Sequence, residues 1–591
     1  MSGRWLFWGH VLAWLVTGSP ASSQTLRVEL EPEWRGTPLT PNRVLPSERW
    51  PGLSISRLDG LFSELALQRA DGSWLQSEGW NVYWSLEGKR SSAVADGLPP
   101  VEFQAIRFRV GLNRELDASD PQQWPAGHAL HPDVCGLHWG WRSGYVFFAV
   151  EGHWGAERET PGGFSYHLAG AETPMWVELP VKLSGARSAT LHLGLDMASV
   201  LNGGDVLADF TSTHSRTGDT FANTLKGRVS RAFRVKGLQA DLYQALPGAS
   251  PGSKGPVAST TPFALRISER LPKVQMPPDN PLTQEGVELG RRLFHETKLS
   301  RNAGQSCASC HDRAKSFTDG RLSSVGAEGQ TGRRNAMPLV NLAWAREFFW
   351  DGRAKSIREQ VLLPIQDAHE MNESLERVLA KLAATSDYAL LFRRAFGSEE
   401  ITSQKVALAL EQYLLTLISQ ESKFDRVARN LATLTPEEQR GLQLFVTEND
   451  PKRGLRGADC FHCHGGNLFS NQQFMNNGLE ERAGDLGRME VTHLDSDQGK
   501  FKVPTLRNVA LTAPYMHDGR FATLEQVVEH YNSGVRRSRT LDPNLAKHPE
   551  AGLGLSSEDK AALVAFLRTL TDEQFVADSP AAGGHQISKA Y

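Results

Sequence analysis

The chain reads as multidomain: an all-β sandwich followed by a mainly α-helical region. Three observations lead there. Short runs of alternating apolar and polar residues fill the stretch from about residue 25 to 236, a period that suits half-buried strands. A Pro/Gly/Ser-rich segment follows, and beyond it helix-start signals and 3.6-residue spacing take over.

In order, residues 1–23 have the form of a secretory signal, with Arg4 ahead of an apolar run at residues 5–16 and small residues at 19–23. That run is shorter than the ~20 residues needed to span a bilayer. Residues 24–238 form the predicted sandwich. "VEFQAIRFRV" sets Ile106, Phe108 and Val110 on one face, and "WVELPVKL" does the same with Val177, Leu179, Val181 and Leu183. Residues 239–280 read as a linker. In the helical region, "TPEEQRGLQLF" and "TLEQVVEHY" each open with a capping box, Thr435 with Glu438 and Thr523 with Gln526. The tail from 577 to 591 has the composition of a disordered end.

Composition narrows the function. The 591 residues are 40% hydrophobic and carry a formal net charge of -3, with no Lys/Arg-rich run, so nucleic acid is not an expected partner. No later segment is apolar enough to cross a membrane, and a periplasmic or secreted location is expected once the signal is cleaved.

Four of the five cysteines fall in two copies of one pattern, "SCASCHD" and "CFHCHGG". A disulfide inside either pair would close a loop too short to stabilise much. Zinc needs about four protein ligands, which the two clusters together could supply. Zinc does not account for the histidine after the second cysteine in both copies. Covalent c-type haem does: two thiols form thioethers and the adjacent imidazole reaches the iron. Cys307, Cys310, Cys460 and Cys463 are then attachment points, with His311 and His464 as proximal ligands.

Residues from about 285 to 575 resemble the bacterial di-haem cytochrome c peroxidase family, including its MauG branch. The stretches that carry the likeness are "LGRRLFHETKLS", "SCASCH", "FTDGR", "FFWDGRA", "CFHCHGG", "FKVPTLRNVALTAPYMHDGRFATLEQVVEHYNSG" and "LVAFLRTLT", in family order. The resemblance implies two cytochrome c-like lobes, residues 281–430 with the peroxidatic haem and 431–576 with the electron-transfer haem, and hydrogen peroxide as substrate. It further implies that Trp350 lies between the haems, that Pro364 shapes the distal pocket and that Glu370 is the distal carboxylate, with Gln360 and His369 beside it. Glu370 read alone is an ordinary surface acid. A carboxyl beside bound peroxide can take a proton from the near oxygen and return it to the far one. Many relatives place a blocking histidine where this chain has Ala327, which implies a first haem open at rest. Tyr531 stands where peroxidases of the family have methionine, as in MauG-like proteins; Met516 or His517 is the alternative ligand. Asn335, Thr512 and Pro514 match the family's calcium site, or are turn residues.

The first half is similar to the MbnP copper-binding family, through "CGLHWGWRSGYVFF" and "FSYHLAG". MbnP-type proteins travel with a separate MauG-like enzyme that converts one of their tryptophans to kynurenine, so the resemblance describes a fusion of the two partners. Trp139 or Trp141 would be the target, or both are core aromatics. His138, His131, His167 and His192 are eligible copper ligands. The family's "NH" is Asn113-Arg114 here and its cysteines are reduced to Cys135, which departs from the inherited copper geometry. Three functions compete: self-oxidation of tryptophan, peroxide removal with electrons from a small redox protein, and a non-enzymatic electron carrier that binds copper.

Overall fold

The computed structural model describes residues 24–577 apart from 48–49, 87–91, 100, 126–127, 139–143, 156–157, 159, 184–187, 202–211, 214, 216–217, 241–259, 275 and 452–453. The expected signal, most of the linker, nearly all of the tail, and Trp139 and Trp141 lie outside the described residues.

Alternation builds the β half as the sequence implied. In Gln24–Trp34, Leu26, Val28 and Leu30 point inward while Arg27, Glu29 and Glu31 are half-exposed. This strand pairs in parallel with Ser188–Asp196, which in turn pairs with Phe233–Ala240. The second sheet runs Met175–Leu183, Phe103–Val110, Leu53–Arg69, Val146–Trp154, Gly162–Ala169, with short strands on its margins. The sheets meet through one core, where the Phe233 ring contacts Phe62 and Phe108 at 6.2 and 5.4 Å between centroids.

Two strands depart from the one-sided pattern. Val146–Trp154 and Gly162–Ala169 are buried on both faces over most of their length. Phe148, Val150, Phe164 and Tyr166 face the sandwich core. The opposite face carries Glu151, His153, Gly163, Ser165 and His167, paired as Ser165 with Glu151 and Gly163 with His153. That polar face is covered by the helical half.

The helical half is two lobes built on one plan. In the first, Gln284–Phe294 crosses Ser403–Leu415 so closely that a Cβ on Gly290 would lie 1.9 Å from the Ala409 carbonyl oxygen. In the second, Pro436–Phe445 crosses Ser557–Arg568, and a Cβ on Gly441 would lie 1.9 Å from the Ala562 carbonyl oxygen. Only glycine permits either crossing. Each lobe has its own apolar core. A buried bidentate pair, Arg507 with Asp425 at 2.8 and 2.9 Å, ties them, and the last helix, Glu573–Ala577, returns Phe575 to the first core.

The far end of the expected linker is packed rather than free. Leu271 is buried, the Trp344 indole donates to the Pro272 carbonyl at 2.9 Å, and the Asn280 amide donates to Glu411 at 2.8 Å. The expected capping boxes at Thr435 and Thr523 both form.

Candidate di-haem active site

Both Cys-x-x-Cys-His motifs sit on single turns, Cys307–Cys310 and Cys460–His462, and all four thiols are free, as thioether formation requires. The histidines are held in the same way. His311 Nδ1 donates to the Phe317 carbonyl at 2.8 Å and His464 Nδ1 to the Phe469 carbonyl at 3.1 Å. A carbonyl only accepts, so the proton sits on Nδ1 and Nε2 keeps the lone pair for iron. Both phenylalanines are buried, with φ of 61° and 52°. Burial also lowers both imidazole pKa values, His464 to about 4, which keeps them neutral and ligating. The residues therefore fit two covalent haems.

Around the first motif the structure places Glu370 and the turn that carries it. Glu370 is half-buried and acts electrostatically on Cys307 and Cys310. Desolvation, with Asp367 adding to it against Arg353, raises its pKa to about 7. Met371 N donates to the Pro364 carbonyl at 3.1 Å, closing the turn that carries Glu370. Ala327 N donates to the Glu370 backbone carbonyl at 2.7 Å, which ties the segment that carries Ala327 to the turn that carries Glu370. Gln360 ends the helix Ile357–Gln360 and is half-buried, whereas His369 is exposed beside Asp367.

Trp350 lies at the seam of the lobes. Its indole donates to the Asn335 carbonyl at 2.9 Å, and its own carbonyl accepts from Lys502 N at 2.7 Å. Asn335 N donates to the His517 carbonyl at 2.7 Å, which brings Asn335 to the loop that holds Thr512 and Pro514. The side chain of Asn335 gives its amide to the Arg321 carbonyl at 2.6 Å. Tyr531 is on a π-helical turn, His530–Gly534, a form frequent at functional sites. One amide, Asn477 Nδ2, reaches both Tyr531 Oη at 3.5 Å and Met516 Sδ at 3.3 Å, while His517 stacks on Phe501. Tyrosine and methionine thus stand at one place.

The β-half candidates separate. A cavity of about 660 Å³ between the halves is lined by Arg57, His138, His153 and His167 on one side and by Phe461 and His462 on the other. His138 and His167 belong to this cavity. His192 lies on the other sheet, bonded to Glu31 at 2.9 Å, and His131 is buried ahead of the turn Pro132–Cys135. Asn113 caps Arg114–Asp117 by accepting from Leu116 N. Alternation in the sequence left His167 facing a site or solvent; it is 2% exposed because the helical half covers it. Its ring lies 5.4 Å from that of His462.

Sequence reasoning missed Glu151, His153 and the Asp459 cluster. The signal was there: Glu151 and His153 are polar residues inside the otherwise apolar "VFFAVEGHW". Glu151 Oε1 accepts from Arg57 and His167 at 2.9 and 2.8 Å and its Oε2 accepts from Asn544 at 3.1 Å, across the interface. Arg57, His167 and His462 hold its carboxyl well below the usual range despite burial. Glu448, Asp459 and His462 form a buried metal-like cluster, but the Lys547 ammonium lies 3.1, 3.4 and 3.3 Å from them and fills the cation's place.

A family model for di-haem cytochrome c peroxidase matches residues 284–433 and one for MbnP matches residues 23–216. The methylamine utilization protein MauG of Methylophilus methylotrophus is 35% identical over 308 residues, 51% of this chain and 87% of its own. The chain belongs to the di-haem cytochrome c peroxidase and MauG family. Cytochrome c551 peroxidase of Nitrosomonas europaea is 33% identical, over 57% of this chain and 92% of its own. A MauG-like protein associated with microbial copper homeostasis has a solved structure that is 34% identical, covering 54% of this chain and 97% of that one, with a TM-score of 0.49. MbnP from Methylosinus trichosporium is 12% identical over 34% of this chain and 87% of its own, with a TM-score of 0.27. This member is a haem peroxidase-type oxidoreductase fused behind an MbnP-like β half. No helix among the described residues is long and apolar enough to cross a membrane.

Proposed function

We propose that the chain uses hydrogen peroxide to oxidise tryptophan in its own β half, Trp139 or Trp141, to kynurenine, and that the product joins His138 and His167 in holding copper. One observation carries this reading: His138, the residue just before Trp139 in the chain, lines the same cavity as His462 of the second haem motif. Indole offers no in-plane lone pair to a metal, whereas kynurenine offers a carbonyl oxygen and an aniline nitrogen, ligands suited to copper beside imidazole.

The reaction balances. Two hydrogen peroxide molecules give tryptophan two oxygen atoms and leave as two waters, forming N-formylkynurenine; hydrolysis then releases formate and leaves kynurenine. Bound haems supply the redox chemistry at the peroxide. Glu370 accepts the proton from the near peroxide oxygen and returns it to the far one, a task matched by a pKa of about 7. Ala327 would offer no blocking ligand to the first haem, and Trp350 connects the lobes. Calcium held by Asn335, Thr512 and Pro514 would fix the loop beside Trp350. Tyr531 would hold the second haem's iron, an oxygen donor that favours the oxidised metal. The reaction belongs to the periplasm, where an exported c-type protein is assembled.

The test is intact mass and peptide mapping after haem loading and peroxide treatment. Kynurenine adds about four mass units to one tryptophan by formula, and the change should map to Trp139 or Trp141. An unmodified pair sinks the reading. It would leave the alternative that the likeness to cytochrome c551 peroxidase supports, peroxide removal with electrons from a small redox protein.

A further inference from the structure

The face of the β half that carries Glu151, His153, Gly163 and His167 is built to meet the second haem lobe. His153 Nε2 bonds the Leu541 carbonyl at 2.8 Å, and Asn544 donates to Glu151 at 3.1 Å. A Cβ on Gly163 would lie 2.2 Å from the Pro543 carbonyl oxygen, so the backbones touch. His462, which the His167 ring approaches, lies between the two attachment cysteines Cys460 and Cys463. Glu151 and His167 are 3% and 2% exposed. Hydrogen bonds that cross this buried contact fix one docking geometry, because a shifted contact would bury Glu151, Asn544 and His153 without those partners.

Resting on the reading above, we propose that the β half docks in cis on the His462 face of the second haem lobe as a built-in electron donor, closing that face to external donor proteins. The electrons are those of the tryptophan oxidation already balanced. Four leave the indole on the way to N-formylkynurenine, and two peroxides accept them as their O–O bonds break. No outside reductant is required. A tether alone holds its two ends at an effective concentration on the order of mM, and the docked contact makes the arrangement unimolecular.

The test uses the full haem-loaded chain and two variants, Asn544→Asp, which sets a carboxylate against Glu151, and Gly163→Ala, which forces the backbones apart from the other side. Small-angle scattering should show a compact wild type and an extended Asn544→Asp variant with unchanged haem content. The wild-type rate of kynurenine formation per chain should be constant over about a hundredfold range of protein concentration. Both variants should slow it by about tenfold or more, as like charges or overlapping atoms in a desolvated contact require. Reduced cytochrome c, used as an external donor, should be oxidised faster by Asn544→Asp than by wild type. A modification rate proportional to concentration would overturn cis action. Identical scattering and identical cytochrome c oxidation in wild type and variants would overturn the docking. A compact wild type that forms no kynurenine but gains cytochrome c oxidation on Asn544→Asp upholds the closed face and refutes the tryptophan reading alone.

Discussion

Replacing Glu370 by glutamine keeps the side chain's shape and removes its ability to carry a proton. A positioned acid/base contributes about 10²- to 10⁴-fold, so the variant should lose roughly 3 to 5 kcal/mol of transition-state stabilisation at ~1.36 kcal/mol per tenfold. The pH dependence follows from the raised pKa. Below about 7 the wild-type carboxyl is protonated and cannot accept from peroxide, so kcat/KM for peroxide should fall about tenfold per pH unit there and level off above. Stability moves the other way. The folded pKa lies above the ordinary glutamate value of 4.5, so folding binds a proton, and this favourable contribution is lost as pH rises through about 7. Glu370→Gln should therefore unfold at a higher temperature than wild type at pH 8 and at the same temperature at pH 4. Stopped-flow peroxide kinetics and thermal unfolding across pH give both readouts. Full activity in the variant, with the same inflection near pH 7, would refute the assignment.

Three other substitutions probe the frame around the site. Lys547→Met leaves Glu448 and Asp459 buried without their cation, which should cost about 3 to 5 kcal/mol in denaturant unfolding. Gly441→Ala drives a methyl into the Ala562 carbonyl and should cost about 1 to 3 kcal/mol, measured the same way. Asp542 is buried beside Glu151, which raises its pKa to about 6, so its contribution to stability is lost as pH rises through that value. Asp542→Asn should thus stabilise the protein at pH 8 and not at pH 4, by thermal unfolding.

Much of the fold was legible because local chemistry and global fold agree. Ile106 and Phe108 alternate into the core where the pattern put them, and Thr435 caps its helix as its spacing with Glu438 required. Of the site, the motif histidines could be read because Cys-x-x-Cys-His is local. Glu370 depended on the family likeness, since its own neighbourhood in the sequence says nothing of burial. The pairing of Glu151 with Asn544 could not be read at all: 393 residues separate them.

By itself the sequence determined the two Cys-x-x-Cys-His motifs, the strand faces and the helix starts, all of which depend on residues within a few positions of one another. Tertiary structure alone decided that the polar face around Glu151 and His167 is covered and not wet, that His192 stands apart, and that Lys547 takes the cation's place among Glu448, Asp459 and His462. Burial and charge pairing are properties of what lies opposite a residue, and in this chain what lies opposite comes from the other half.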